Sequence, residues 1–229
     1  MSNLPFYDSA AAAEGYLGHG IAAGELLLIE QLAAESGPLL DIGCGSGRLF
    51  ERMASVRPEL TGVDYAQEQL RLHAVQFPAA TLVRAQALQL PFKDDTFSTA
   101  VMGYHLIESI LPRDARQVAF VSAARVLLPG GSLFLTRHVM HNYHLADQVR
   151  QWFRRGTREL GDLVGPARIM NARQPPEPFR MHVLSRHEIR RLTRRVGFDF
   201  AGDWDFDTGG RTRPGSRALV EHYTLTSTR

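Results

Sequence analysis

Leu39-Leu40-Asp41-Ile42-Gly43-Cys44-Gly45-Ser46-Gly47 is a short apolar run that ends in three alternate glycines. Its first four residues have the length of a buried strand, and apolar spacing resumes over 48–56 through Leu49, Phe50 and Met53 with the period of a helix. The stretch reads strand, glycine loop, helix. Glycine at 43, 45 and 47 removes side chains where the chain turns sharply, so the backbone can approach a ligand closely at the helix N-terminus. The third glycine arrives one residue too early for G-x-G-x-x-G, position 48 being Arg, which disfavours NAD or FAD. The absence of G-x-x-x-x-G-K-[ST] disfavours a P-loop. What remains is a loop for a nucleoside without a pyrophosphate.

Working outward, Leu60-Thr61-Gly62-Val63-Asp64 is a second strand, 66–75 a second helix, 80–84 a third strand, and a helix over 21–34 precedes the first strand. A fourth strand fits 97–102, a helix 114–128 that Pro129-Gly130-Gly131 stops, and a fifth strand 132–136. Strands and helices alternate, which predicts an α/β fold with a mostly parallel, doubly wound sheet. The alternation breaks over 139–180, where a helical stretch near 145–160 leads into Gly161, Gly165, Pro166 and Pro175-Pro176-Glu177-Pro178, read as a helical cap inserted over the site. Ser185-Arg186-His187-Glu188 is a capping box, its helix ending at Gly197. Strands over 198–206 and 217–226 flank Thr208-Gly209-Gly210 and predict an antiparallel C-terminal hairpin at the sheet edge, for seven strands in all. The expected organisation is one domain, 1–229, with an N-terminal helical segment over 1–36 and the cap over 139–180.

The 229 residues, 44% of them hydrophobic, suffice for one large domain with a core of its own. No apolar run approaches a bilayer-spanning length and no signal-peptide pattern opens the chain, so a cytoplasmic protein without a membrane partner is expected. The single cysteine, Cys44, excludes an internal disulfide framework and a cysteine-based zinc site. A formal charge of +2 gives no ground for a nucleic-acid partner by itself. From Arg137 to Arg195, however, thirteen arginines face five acidic residues, while Lys93 is the only lysine of the chain. That skew fits either a solvated, compositionally biased surface or a site for an anionic partner.

Asp64 lies 21 residues beyond Gly43, at a strand end where a carboxylate can accept hydrogen bonds from both ribose hydroxyls. It also stands where it could cap the helix that starts at Ala66, and the two roles are compatible. Leu40 to Gly47, Gly62-Val63-Asp64, Ala87-Leu88-Gln89-Leu90-Pro91-Phe92 and Leu127-Leu128-Pro129-Gly130-Gly131 together resemble, in order, the motifs of class I (Rossmann-like) S-adenosylmethionine-dependent methyltransferases, and more narrowly the small-molecule branch that includes the ubiquinone-biosynthesis-type enzymes. The resemblance implies S-adenosylmethionine as cofactor, with S-adenosylhomocysteine as product. It implies that Asp41 receives the cofactor's amino group, that Gly43, Cys44 and Gly45 pass beneath its methionyl part, that Asp64 holds the ribose, and that Tyr65 packs beside the adenine. Gln86, before Ala87, stands where the family usually has Asp; a glutamine amide oxygen can still accept from the adenine amine. Gly103 falls where the family places backbone contacts to the cofactor, and Phe6-Tyr7-Asp8 with Tyr16 resemble a segment that closes over it. Ser98 replaces a usual aspartate and receives no catalytic role.

Methyl transfer from a sulfonium is an in-line displacement that alignment accelerates without a metal, whereas a hydroxyl acceptor also needs a base. His105, just beyond strand four, and His138 and His141, just beyond strand five, are the candidate bases, at the sheet's carboxyl edge where α/β folds bind ligands. His138, His141, His144 and Asp147 are spaced by three, a spacing that slides around a helix, so shared coordination is not implied and no metal is expected. Tyr104, Tyr143, Trp152 and Phe153 suit either an apolar acceptor pocket or the core. Arg150, Arg154, Arg155 and Arg158 suit either an anionic acceptor or a solvated face. The expected function is transfer of a methyl group to oxygen or nitrogen of a small molecule of anionic or aromatic character. The alternatives are a modifier of RNA or protein acting through the arginine-rich cap, which would lose affinity steeply with salt, and a non-catalytic cofactor-binding module.

Overall fold

Strands that are apolar on both faces need helices on both faces, and each face here finds its own. The computed structural model describes residues 3–138, 162–165, 179–214 and 216–226. Its strands are β1 (Leu39–Ile42), β2 (Leu60–Asp64), β3 (Thr81–Arg84), β4 (Phe97–Met102), β5 (Leu127–His138), β6 (Asp162–Gly165), β7 (Phe179–His182), β8 (Phe198–Asp205) and β9 (Ala218–Leu225). Seven of them form one sheet in the order β3-β2-β1-β4-β5-β9-β8. The first five run parallel, and β9 joins β5 and β8 antiparallel, so the expected seven-stranded sheet with a C-terminal hairpin at one edge is observed.

Eight helices cover or precede the sheet: α1 (Leu4–Tyr7), α2 (Ala10–Leu17), α3 (Ala23–Ala34), α4 (Phe50–Val56), α5 (Gln67–Gln76), α6 (Leu106–Ser109), α7 (Ala115–Val126) and α8 (Arg186–Arg194), counted among the described residues. Side chains alternate across each strand. Leu40, Ile42, Ala100, Met102, Leu133 and Leu135 pack on one face against Phe120, Ala123 and Val126 of α7 and Ile189 of α8. Leu39, Val101, Phe134 and Val220 pack on the other against Leu28 and Leu32 of α3 and Phe50 and Met53 of α4. The capping box on α8 forms as its sequence predicts: Ser185 Oγ accepts from the Glu188 N–H at 3.2 Å, and Glu188 Oε2 accepts from the Ser185 N–H at 3.0 Å.

Two boundaries differ from the sequence reading. β5 begins at Leu127 and not at Ser132, because Leu127 already pairs with Phe97 before the Pro129-Gly130-Gly131 irregularity, and it runs on to His138, opposite Ala218. Within the expected cap, the described residues form an antiparallel strand pair, β6 with β7, in place of helix alone, pairing Asp162 with His182 and Gly165 with Phe179. The helix expected near 145–160 lies outside the described residues, as do His141, His144, Tyr143, Trp152, Phe153 and Arg150, Arg154, Arg155 and Arg158. No helix among the described residues is long and apolar enough to cross a membrane.

Candidate functional site

β1 is flanked by β2 on one side and β4 on the other, so the chain crosses away from it in opposite directions and leaves a crevice at the carboxyl ends of β1 and β4. A cleft of about 700 Å³ opens there, lined among others by Tyr7, Tyr16, Asp41, Gly43, Cys44, Gly45, Gly103 and Tyr104. A second lobe of about 610 Å³ shares Gly43, Asp64, Tyr65 and Leu106 with the first and adds Gln86, Ala87 and Asn3. All ten residues expected to contact a cofactor line one lobe or the other.

The glycine loop is held from beneath. Gly43 and Cys44 donate their N–H groups to the Val63 carbonyl at 2.7 and 3.0 Å, which ties the loop to the end of β2. Gly43 has φ 75 and a Cβ there would lie 2.9 Å from the Leu106 side chain; Gly47 has φ 91 and a Cβ there would strike the His73 ring at 2.9 Å. Side chains at these two positions are excluded by both backbone and space. The buried His73 faces the Gly45 carbonyl through Nδ1 at 3.0 Å. Cys44 is buried, its Sγ packed 2.9 Å from where a Gly62 Cβ would sit, and burial pushes its thiol well above the ordinary range, away from nucleophilic chemistry.

Asp64 accepts from the Gly45 N–H through Oδ2 and from the Ala66 N–H through Oδ1, both at 2.9 Å. It therefore fixes the loop and caps the approach to α5 at once. Burial raises its pKa, and the N–H groups of Ala66, Gly45 and Tyr65 oppose that rise. Asp41, also buried, carries no such support: burial and the Asp64 charge push its carboxyl up to about 7, against the opposing Arg48.

Three tyrosines line the first lobe. Tyr7 stacks on Tyr16 with centroids 6.0 Å apart, and Tyr16 meets the Tyr104 ring edge-on at 5.5 Å. The N-terminal segment that supplies two of them is pinned by Asp8 Oδ1, which accepts from the Glu68 N–H at 2.8 Å, and by Asn3 Nδ2, which donates to the Ser109 carbonyl at 3.0 Å. Arg48, which the sequence reading used only as a departure from the dinucleotide pattern, lines the cleft, forks onto the fully buried Glu25 and lies 4.4 Å from the Tyr104 ring centroid. Its place directly after the third glycine was the available signal. Gln69 was missed too; its Oε1 is buried without a hydrogen-bond partner beneath the loop.

Beside the cleft the backbone is strained. Tyr104 and His105 have φ 44 and φ 64, and consecutive non-glycine residues in the left-handed region each cost about 1–3 kcal/mol, a cost that concentrates at functional sites. The turn swings the His105 ring onto His138, the two stacking with centroids 3.6 Å apart. Two of the three expected bases thus come together, while His141 lies outside the described residues. Neither histidine lines the two lobes; His105 follows Tyr104 in the turn after β4, and His138 is the last residue of β5. Burial first, then the charges of His138 and Arg48, hold the His105 pKa well below its ordinary value, so this ring is neutral near pH 7.

Glu108 organises the pair. It is fully buried on α6, accepts from the His138 N–H at 2.9 Å through Oε1, and meets His138 Nδ1 at 2.5 Å through Oε2. Arg116 of α7, also fully buried, donates to the Ile107 carbonyl at 2.8 Å and the Glu108 carbonyl at 3.2 Å, which fixes the short helix that aims the carboxylate. Sequence reasoning missed it, since a lone carboxylate between Leu106-Ile107 and Ser109 carries no signal of its own. Ser98 sits at the other end of β4, donating to the Ser36 carbonyl at 2.7 Å and accepting from Arg57, a structural position.

Residues 39–131 match the family described as methyltransferase domain. The ubiquinone biosynthesis O-methyltransferase of Methylobacterium nodulans is 28% identical over 151 residues, covering 62% of this chain and 59% of that protein, so the chain spans less than two thirds of the length of the curated relatives it matches. Among solved structures, an S-adenosylmethionine-dependent methyltransferase of Methanosarcina mazei superposes with a TM-score of 0.70 at 23% identity, over 86% of this chain and 96% of that one. An amino pentose methyltransferase of Micromonospora echinaspora, solved with S-adenosylmethionine bound, superposes with a TM-score of 0.65 at 17% identity, over 94% and 95%.

Proposed function

We propose that the chain transfers a methyl group from S-adenosylmethionine to an oxygen or nitrogen of a small-molecule acceptor; the match of residues 39–131 to a methyltransferase domain and the fold shared with solved methyltransferases support this reading. The cofactor fits this cleft. Glycines 43 and 45 leave room for backbone approach, Asp41 offers a carboxylate to an ammonium, and Asp64 retains acceptor capacity for ribose hydroxyls after its two backbone contacts. Tyr65 and Gln86 border the second lobe, where an adenine would lie. When bound, the cofactor supplies a methyl group on a sulfonium that leaves as a neutral thioether.

The observation that carries the catalytic reading is the Glu108–His138 pair. A carboxylate that accepts from Nδ1–H fixes the tautomer of His138 and puts the basic lone pair on Nε2, the atom that would take the proton of an acceptor. Glu108 acts through that ring as a positioning residue. Two arginines of the basic C-terminal stretch are already engaged within the fold, Arg186 and Arg190 facing Asp203 at 3.4 and 3.9 Å, which weakens the case for an RNA-binding face there.

S-adenosylhomocysteine at about 100 times its Kd is expected to stabilise the protein by about 2.7 kcal/mol in thermal unfolding. Asp64→Ala is expected to abolish most of that shift, since hydrogen bonds to a charged acceptor contribute about 1.5–3 kcal/mol each. An undiminished shift in Asp64→Ala overturns the ribose assignment. Release of S-adenosylhomocysteine with hydroxylated or amine-bearing small molecules, and none with RNA alone, tests the acceptor class.

Asp41 gives the binding a pH dependence. With its carboxyl pushed up to about 7 in the free protein, Asp41 is mostly protonated below that pH and must lose its proton to meet an ammonium. Affinity for S-adenosylhomocysteine, measured calorimetrically, is expected to rise by up to about tenfold per pH unit on approaching pH 7 and to level off above it. The sign for folding is opposite. The raised pKa means that Asp41 favours the ligand-free fold below the unfolded value near 3.8, an advantage lost as pH rises through about 7. Asp41→Asn is expected to flatten the binding profile.

A further inference from the structure

One ligand atom from each of His105, Glu108 and His138 can be chosen so that all lie within 4.8 Å of one another. They reach this spot from three places in the fold: the strained turn after β4, the short α6, and the end of β5. His105 Nδ1 is buried without a hydrogen-bond partner and faces Glu108 Oε2 at 3.8 Å, while His138 Nδ1 meets the same oxygen at 2.5 Å.

We propose that His105, Glu108 and His138 form a binding site for one first-row divalent cation such as zinc. Two imidazoles and one carboxylate are a borderline-soft donor set that suits zinc, cobalt or ferrous iron and leaves positions open to water or an acceptor oxygen, whereas magnesium and calcium prefer all-oxygen sites. The set differs from the His138, His141, His144 spacing considered from sequence; only one member is shared. His105 is anchored, its N–H donating to Thr136 Oγ1 at 3.1 Å. The stacked rings have to open on the metal side, and the His138 side chain, 22% exposed, is the one placed to tilt.

The consequence for catalysis follows from tautomers and rests on the base reading above. Donation from His138 Nδ1 to Glu108 needs the proton on Nδ1, and a metal on Nδ1 needs it on Nε2. A bound cation and a basic Nε2 therefore exclude one another, and zinc is expected to suppress base-dependent methyl transfer.

The test reads binding directly and requires no acceptor. Metal-free protein titrated with Co²⁺ is expected to develop ligand-field absorption that saturates at one equivalent and is displaced by Zn²⁺. Glu108→Gln and His105→Phe are each expected to weaken binding by more than the roughly 10–100-fold that losing an outer partner costs. Retention of the S-adenosylhomocysteine melting shift shows that each variant is folded; should Glu108→Gln lose it, His105→Phe carries the comparison. Absence of stoichiometric binding, or binding that both folded variants keep at full strength, overturns the site. Stoichiometric binding lost in the variants, with methyl transfer indifferent to zinc, upholds the site and overturns the base reading.

Discussion

Replacing His138 with alanine is expected to slow methyl transfer by about 10²–10⁴-fold, the contribution of a positioned general base, while leaving the affinity for S-adenosylhomocysteine unchanged. The separation is possible because His138 lines neither lobe of the cleft. Glu108→Gln should produce a smaller loss in kcat with little change in cofactor affinity, since an amide oxygen can still accept from Nδ1–H but no longer opposes the charge that develops on the ring. Single-turnover rates with an acceptor identified by S-adenosylhomocysteine release would check both. Near-wild-type turnover in His138→Ala, His105→Ala and Glu108→Gln together would reject base catalysis by this cluster and leave alignment alone to accelerate transfer.

The cofactor side of the cleft was legible in the sequence because its determinants are local. Gly43, Gly45 and Gly47 sit in one turn, and Asp64 lies one β-α-β unit away, so strand, loop and helix periods place them at the same sheet edge without knowledge of any distant contact. The histidine cluster was legible only in part. His105 and His138 could be placed at the carboxyl edge from strand ends, but their stacking depends on a left-handed turn at Tyr104 and His105, which no glycine advertises. Glu108 was invisible for a related reason: a lone carboxylate in an apolar stretch shows its purpose only when a backbone N–H and a ring from 30 residues later close on it. The β6–β7 pair escaped because its strands are short and lie too far apart in the sequence for the loop pattern of about two to five residues that marks a hairpin.

Glu221→Gln is expected to destabilise the fold by about 3–5 kcal/mol, the cost of leaving a buried charge without its counter-charge. Arg137 and Glu221 face each other across β5 and β9 with fully buried side chains, joined by Nε to Oε2 at 2.9 Å and Nη2 to Oε1 at 2.7 Å, and Tyr223 donates to the same Oε2 at 2.8 Å. For a chain of this size the loss corresponds to a fall of about 6–20 °C in Tm. Replacing both charges with apolar residues, as in Arg137→Met with Glu221→Leu, is expected to recover part of the stability, because the desolvation cost disappears with the charges while the Tyr223 hydroxyl and the His138 and Leu184 carbonyls each lose a partner. A fall of less than about 1 kcal/mol in the single variant would mean that water or a relaxed neighbour compensates Arg137. The double variant also separates stability from positioning. Arg137 Nη1 donates to the His138 carbonyl at 2.9 Å and to the Leu184 carbonyl at 3.1 Å, so it tethers the strand end that presents the His138 ring to Glu108. A doubly substituted protein that melts near the wild-type temperature but transfers methyl groups more slowly, with cofactor affinity intact, would assign this buried pair a second role: holding the strand end of β5 in register with α6.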